Sequence, residues 1–242
     1  MDYRFTHFAG CPSHATSVWR RGVRPLLAVT LLLAATWLPA LDTDPILTGE
    51  FWVELDPFVE SGQDSRLSRE EAHTRILEEA RFVFSGMIYG FKFVYTPSDA
   101  TRKVAELFTF EPVAQIPWGD PALSVADVRI DGNLLRAYVR YVPTDHQLRW
   151  LKMMQSNIYS DATGWGQASM FAGRAAKYRA MEEAAKEAIR AHLRPRIYNK
   201  PKEVRGSVVF AEAPYILIDA GEYKAKVTVK IDVDEIIPYR LY

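Results

Sequence analysis

Leu123-Ser-Val-Ala-Asp-Val-Arg-Ile130, the pair Asp131-Gly132, and Leu134-Leu-Arg-Ala-Tyr-Val-Arg-Tyr-Val142 decide how this chain is read. Two strand-like runs flank Asp-Gly, which takes positive φ readily and so favours a tight hairpin turn. Downstream, Thr144 and Gln147 match a capping box that opens a helix through about Ile158, with Leu148, Leu151 and Met154 inward. The stretch 159–166, with Gly164, Trp165 and Gly166, reads as a loop that breaks this helix. Gln167 to Leu193 reads as the longest helix, its stripe formed by Phe171, Tyr178, Met181, Ala185 and Ala188, with Pro195 as its stop. Strands are expected near Val204–Glu212, Tyr215–Ile218 and Tyr223–Ile237, with Ala220-Gly221 between the last two.

Upstream, Phe51 to Phe58 alternates as a first strand, and Ser61 to Ser65 is turn-like. Ser68 and Glu71 match a second capping box, for a helix to about Phe84 with the stripe Ala72, Ile76, Ala80 and Val83. Ser85 to Tyr95 reads as an aromatic strand carrying Met87, Tyr89, Phe91, Phe93 and Tyr95 on one face. Ser98 or Asp99 caps a short helix with Val104, Leu107 and Phe108 inward, and residues 111–122 form a Pro-rich ordered loop that carries Trp118. Strand, helix, strand, helix, hairpin, two helices and a meander predict an α+β fold: a mixed or mainly antiparallel sheet with helices packed on one face. No Gly- or Ser-rich linker divides residues 41–242, so they are expected to form one domain.

Composition narrows the function. With 48% hydrophobic and 25% charged residues the chain is globular in kind, not disordered. The first 40 residues hold four arginines against one aspartate, so residues 41–242 carry 26 basic and 29 acidic residues. A mixed, slightly acidic surface argues against a nucleic-acid partner. The one cysteine is Cys11, which leaves residues 41–242 without a thiol for disulfides or thiolate chemistry.

Arg20, Arg21 and Arg24 precede the apolar run Pro25–Ala40, the order of parts in a secretory signal. Residues 1–40 are therefore expected to be an N-terminal extension and signal, with cleavage after Ala40. An uncleaved anchor is the alternative, and would be the chain's only membrane contact. Phe8-Ala9-Gly10-Cys11 is not a lipoprotein box, because it precedes the apolar run instead of following it.

No chemical motif stands out. His73, His146 and His192 fall on separate predicted helices, none with a second ligand at i+3 or i+4, so no metal or cofactor is expected. Asp232 and Asp234 continue the strand face of Lys224, Lys226, Thr228 and Lys230, which reads as a solvated outer face. The candidate ligand-binding residues are Gly164, Trp165 and Gly166, placed before a helix N-terminus that can take an anion, together with Trp118. The packing alternative for this segment is a helix–helix turn with Trp165 on the core.

The expected role is a non-catalytic, exported cell-envelope protein that acts through a partner protein or an assembly. The alternatives are a periplasmic module that binds an apolar or amphipathic molecule between the aromatic strand, Trp118 and Trp165, and a hydrolase in which a histidine meets Ser or Asp. The N-terminal reading predicts a mature protein that begins at or near Leu41 and lies outside the cytoplasm. N-terminal sequencing of protein from its native host checks this, and an intact Pro25–Ala40 segment in the membrane fraction would contradict it.

Overall fold

Two capping boxes start the helices where the sequence places them. A computed structural model of the chain describes residues 46–56, 66–197 and 200–239. The signal segment, its cleavage point, the Ser61–Ser65 turn and residues 240–242 lie outside the described residues. The Ser68 hydroxyl accepts from Glu71 N (3.2 Å) while Glu71 Oε2 accepts from Ser68 N (3.0 Å), opening α1 (Arg69–Ile88). Thr144 and Gln147 repeat the arrangement at α2 (Asp145–Met154). Each such cap stabilises its helix by about 1 kcal/mol.

The strands are β1 (Leu47–Glu54), β2 (Phe91–Thr96), β3 (Leu107–Pro112), β4 (Leu123–Asp131), β5 (Leu134–Tyr141), β6 (Ser160–Ser169), β7 (Glu203–Phe210), β8 (Tyr215–Asp219) and β9 (Glu222–Ile237). The third helix, α3, spans Ala176–Leu193. Among the described residues the strands form two sheets, and every pairing is antiparallel. The smaller has the order β1-β5-β4, built on the Asp131-Gly132 hairpin. The larger has the order β3-β2-β7-β9-β6, with β8 also pairing with β9. The α+β fold with antiparallel pairing is as expected, although the sequence reading held one sheet where the chain forms two.

The inner face of the larger sheet is graded in size. At β2 it carries Phe91, Phe93 and Tyr95, all buried. At β6 it carries Ala162, Gly164, Gly166 and Ala168, which pair with Val229, Val227, Ala225 and Tyr223 of β9. Large side chains hold α1 off one end, where Phe82 sits 5.3 Å from the Phe91 ring and 6.4 Å from Phe210. Small ones let α3 descend onto the other. A Cβ on Gly164 would lie 2.1 Å from Ala184 O, and one on Gly166 2.1 Å from Ala184 N. Ala180, Ala184 and Ala188 present the matching small face of α3, and all are fully buried.

This packing corrects the reading of residues 159–166 as a loop. Gly164 and Gly166 are not breakers but strand residues, kept small by the helix backbone above them. The predicted helix from Gln167 is also corrected. The strand runs to Ser169, a 3-10 turn with Gly173 at φ 59° follows, and the α-helix starts at Ala176.

Three further boundaries differ. The helix expected to end at Phe84 continues to Ile88, so Met87 belongs to it and Tyr89 is its C-cap. Ser85 stays helical by donating to Arg81 O (2.6 Å), and Gly90, at φ 73°, turns the chain into β2. The short helix after Ser98 is absent: Asp99 bridges Val104, Lys103 takes φ 56°, and Leu107 and Phe108 enter β3. Finally, α2 stops at Met154, leaving Ile158 exposed.

The glycine contacts generate a test. Gly164→Val or Gly166→Val must push α3 away from β6, and each is expected to cost roughly 3 kcal/mol, the upper end of overpacking. Trp165→Ala, on the opposite face of the same strand, is expected to change stability by no more than about 0.5 kcal/mol. Urea unfolding of the variants checks the contrast.

Candidate functional site

Trp165 alternates away from α3 and is 54% exposed. With Gly166, Gln167, Glu183, Glu187 and Lys224 it lines a shallow groove of about 240 Å³. The expected anion site before a helix N-terminus is therefore corrected. Gly164, Trp165 and Gly166 lie within a strand paired to Val227, Lys226 and Ala225, ten or more residues ahead of α3. Trp118 does stand on the Pro-rich loop, exposed, with the Arg81 guanidinium 5.6 Å from its ring centroid. Its neighbour Ile116 ties that loop to α1, its N–H donating to Ser85 Oγ (2.9 Å). The two tryptophans contribute to no common groove among those described.

The aromatic strand is mostly core. Phe91 stacks on Phe110 at 4.1 Å, and Phe93 is fully buried. Tyr95 lines a groove of about 350 Å³. Pro97, Leu193, Ile197, Pro201 and Val204 supply its apolar wall, with Arg190, Arg194 and Lys200 beside them. The Tyr95 hydroxyl donates to Glu106 Oε1 (2.9 Å). Burial, then that carboxylate, push its pKa up to about 12, so it stays protonated as a donor.

His192 lines a groove with Ser160 and Asp232, but among the described residues no hydrogen bond joins its ring to either. His73 and His146 are exposed on α1 and α2. The His192 ring contacts Arg196, which also donates to Ser160 Oγ (3.2 Å). Burial and the Arg196 charge both depress the His192 pKa. A guanidinium at the ring disfavours the imidazolium that general-base catalysis would create. Among the described residues no group of three His, Cys, Asp or Glu could hold a metal ion, and no helix is long and apolar enough to cross a membrane.

A buried ionic cluster was not anticipated. Glu79 of α1 and Lys177 of α3 form a buried ion pair (3.0 Å). The Lys177 ammonium lies 3.7 Å from the Trp52 ring centroid and donates to the Trp52 carbonyl. Burial raises the Glu79 pKa against the pull of Lys177. Beside it Tyr223 of β9 donates to Glu54 of β1 (2.6 Å). A signal was present: Glu79 follows Ile76 by three, and Lys177 precedes Met181 by four, so each charge sits on an apolar stripe. No described groove opens onto this pair, so its effect is to join β1, α1 and α3.

Among the described residues, β4 leaves an apolar surface open. Register places Leu123, Val125, Val128 and Ile130 on the face of Tyr141, Val139, Ala137 and Leu135 of β5. Those four β5 residues are buried beneath α1, whose main partners in this sheet are β1 and β5. One strand further out, Val125, Val128 and Ile130 are 36%, 40% and 50% exposed. β4 is also the outer strand, so one row of its backbone donors and acceptors is unpaired by the sheet. Its other face alternates Asp127, Arg129 and Asp131. There Glu50 accepts from both Arg129 (3.0 Å) and Arg136 (3.1 Å).

A protein-family model matches residues 38–239 of the chain. An uncharacterised protein of Treponema pallidum (strain Nichols) is 28% identical over 207 residues, which cover 83% of this chain and 87% of that protein. No solved structure matches.

The buried pair generates the second structural test. Glu79→Gln leaves the Lys177 charge without its counter-ion, and is expected to cost about 3–5 kcal/mol. The double variant Glu79→Leu with Lys177→Met removes both charges and is expected to recover most of that loss. Thermal unfolding of the three proteins reads the difference.

Proposed function

Taking as premise that the chain belongs to the family whose model spans residues 38–239, we propose that it is an exported, non-catalytic component of the cell envelope that works by docking a protein along β4. The observation that carries this reading is the conjunction on one strand of an unpaired edge with exposed Val125, Val128 and Ile130. An edge of this kind supports strand addition: main-chain hydrogen bonds give affinity and alternate side chains give specificity. Natural edges are guarded by charges and bulges. β4 has a bulge between Val125 and Asp127 and charges on one face, but its apolar face carries no such guard. The export part of the reading rests on Arg20, Arg21 and Arg24 ahead of Pro25–Ala40.

A second reading, an amphipathic ligand, is favoured by the groove of about 350 Å³ at Tyr95, where an apolar wall meets Arg194 and Lys200. It ranks lower because Arg190, the third cation there, is already engaged by Glu187 at 2.5 Å.

A photo-crosslinking amino acid placed at Val128 or Ile130, in the native host, is expected to yield a protein adduct. The same residue at Ile158, exposed on another part of the surface, is expected to yield none. Equal labelling from all three positions would remove the reading.

A further inference from the structure

We propose that the protein docked on β4 is a second copy of this chain, paired antiparallel so that Val128 lies opposite Val128 of the second copy. This rests on the reading of β4 as the docking edge and adds the partner and the register. In an antiparallel pair, centring on Val128 places Asp127 opposite Arg129 of the second copy, and Arg129 opposite its Asp127. Both residues lie on the same face of β4, opposite Tyr138 and Arg136 of β5.

In the single chain it is the Asp127 carboxylate that is left without a counter-charge. Asp127 has no ion-pair or hydrogen-bond partner for its carboxylate among the described residues. Arg129 pairs with Glu50 (3.0 Å), which Arg136 also contacts while it pairs with Asp131, and the Arg129 side chain is 61% exposed, open to a second carboxylate. The two-fold then gives Asp127 of each copy a guanidinium and Arg129 of each copy a second carboxylate. On the other face Val128 meets Val128 of the second copy, extending the apolar surface of the sheet.

Competing registers are worse. Centring on Arg129 or on Asp127 sets like charges directly opposite one another, which is destabilising. Centring on Ile130 lays Val128 against Gly132, which turns at φ 59° and is not extended. It also draws on Asp131, whose carboxylate is already 3.3 Å from Arg136 Nε. The bulge after Val125 ends the regular ladder, so the pairing is short and the dimer reversible. A two-fold contact of this kind closes on itself and uses up the β4 edge of both copies.

Sedimentation of the full chain over a concentration series tests the proposal. The expected result is a monomer–dimer equilibrium. Asp127→Arg and Arg129→Asp should each raise the midpoint concentration at least tenfold, and the two together, which restore opposite charges, should bring it back. Circular dichroism confirms that each variant is folded, and the double variant guards against misreading a folding defect. In a Cys11→Ser background, Val128→Cys should be joined by a short bifunctional thiol reagent and Val142→Cys should not. A chain that stays monomeric throughout, or a dimer indifferent to both single reversals, overturns the proposal. If the chain is monomeric but crosslinks from Ile130 carry another envelope protein, the second copy is ruled out and the docking reading stands. If those crosslinks are also absent, both fall.

Discussion

Glu79 and Lys177 meet inside the protein, and the placement of the smaller sheet depends on that meeting. The pair is made between two helices, but its third member is Trp52, whose ring lies against the ammonium and whose carbonyl receives one of its protons. Trp52 belongs to β1, at the edge of the three-stranded sheet. The larger sheet reaches the same point through Tyr223 of β9, tilted against Trp52 at 6.1 Å and bonded to Glu54. Two desolvated charges are a costly way to join elements unless each has several partners. Here carboxylate, indole face and carbonyl surround one ammonium. β1 held in place aligns β5, and β5 carries β4 outward beyond the reach of α1.

The glycine-to-alanine contact on the other side of the molecule serves the same geometry. α3 carries Lys177 near its first turn, so where α3 lies decides where the ammonium lies. Gly164 and Gly166 let the helix backbone approach β6 within a distance that any side chain would forbid. The depth of that seat and the charge cluster at the end of α3 are therefore linked. A residue that lifted the helix would also draw Lys177 away from Glu79.

Local chemistry was legible in the sequence, and tertiary partners were not. Ser68/Glu71 and Thr144/Gln147 announce their helices because a capping box is complete within four residues. Asp131-Gly132 announces its hairpin, and Ala220-Gly221, at φ 52° and 79°, the last one, because the turn demands those conformations. β6 was missed because Gly164 and Gly166 are small on account of α3, which begins ten residues later and cannot be seen from the strand alone. The division into two sheets was missed because β1 pairs with β5 across a long separation, from Glu54 with Leu134 to Leu47 with Tyr141. Trp165 was singled out for its place between glycines ahead of an expected helix, and Trp118 for its loop, but they contribute to no common groove among those described. The edge position of β4 had no sequence signature either: its alternation of apolar and charged residues is that of a strand with one face covered, and only the extent of α1 shows that the cover stops short.

The proposed docking makes β4 an open edge that becomes paired when the protein does its work. Amide hydrogen exchange at Asp127–Ile130 measures this directly, because an unpaired N–H exchanges fast and a laddered one slowly. In dilute purified protein the outward-facing amides of this segment should exchange rapidly. In the protein as it stands in its native envelope they should be strongly protected, while those of Met153 and Ile158 should exchange alike in both states. Equal exchange of the β4 amides in the two states would mean that this edge is not where the protein docks.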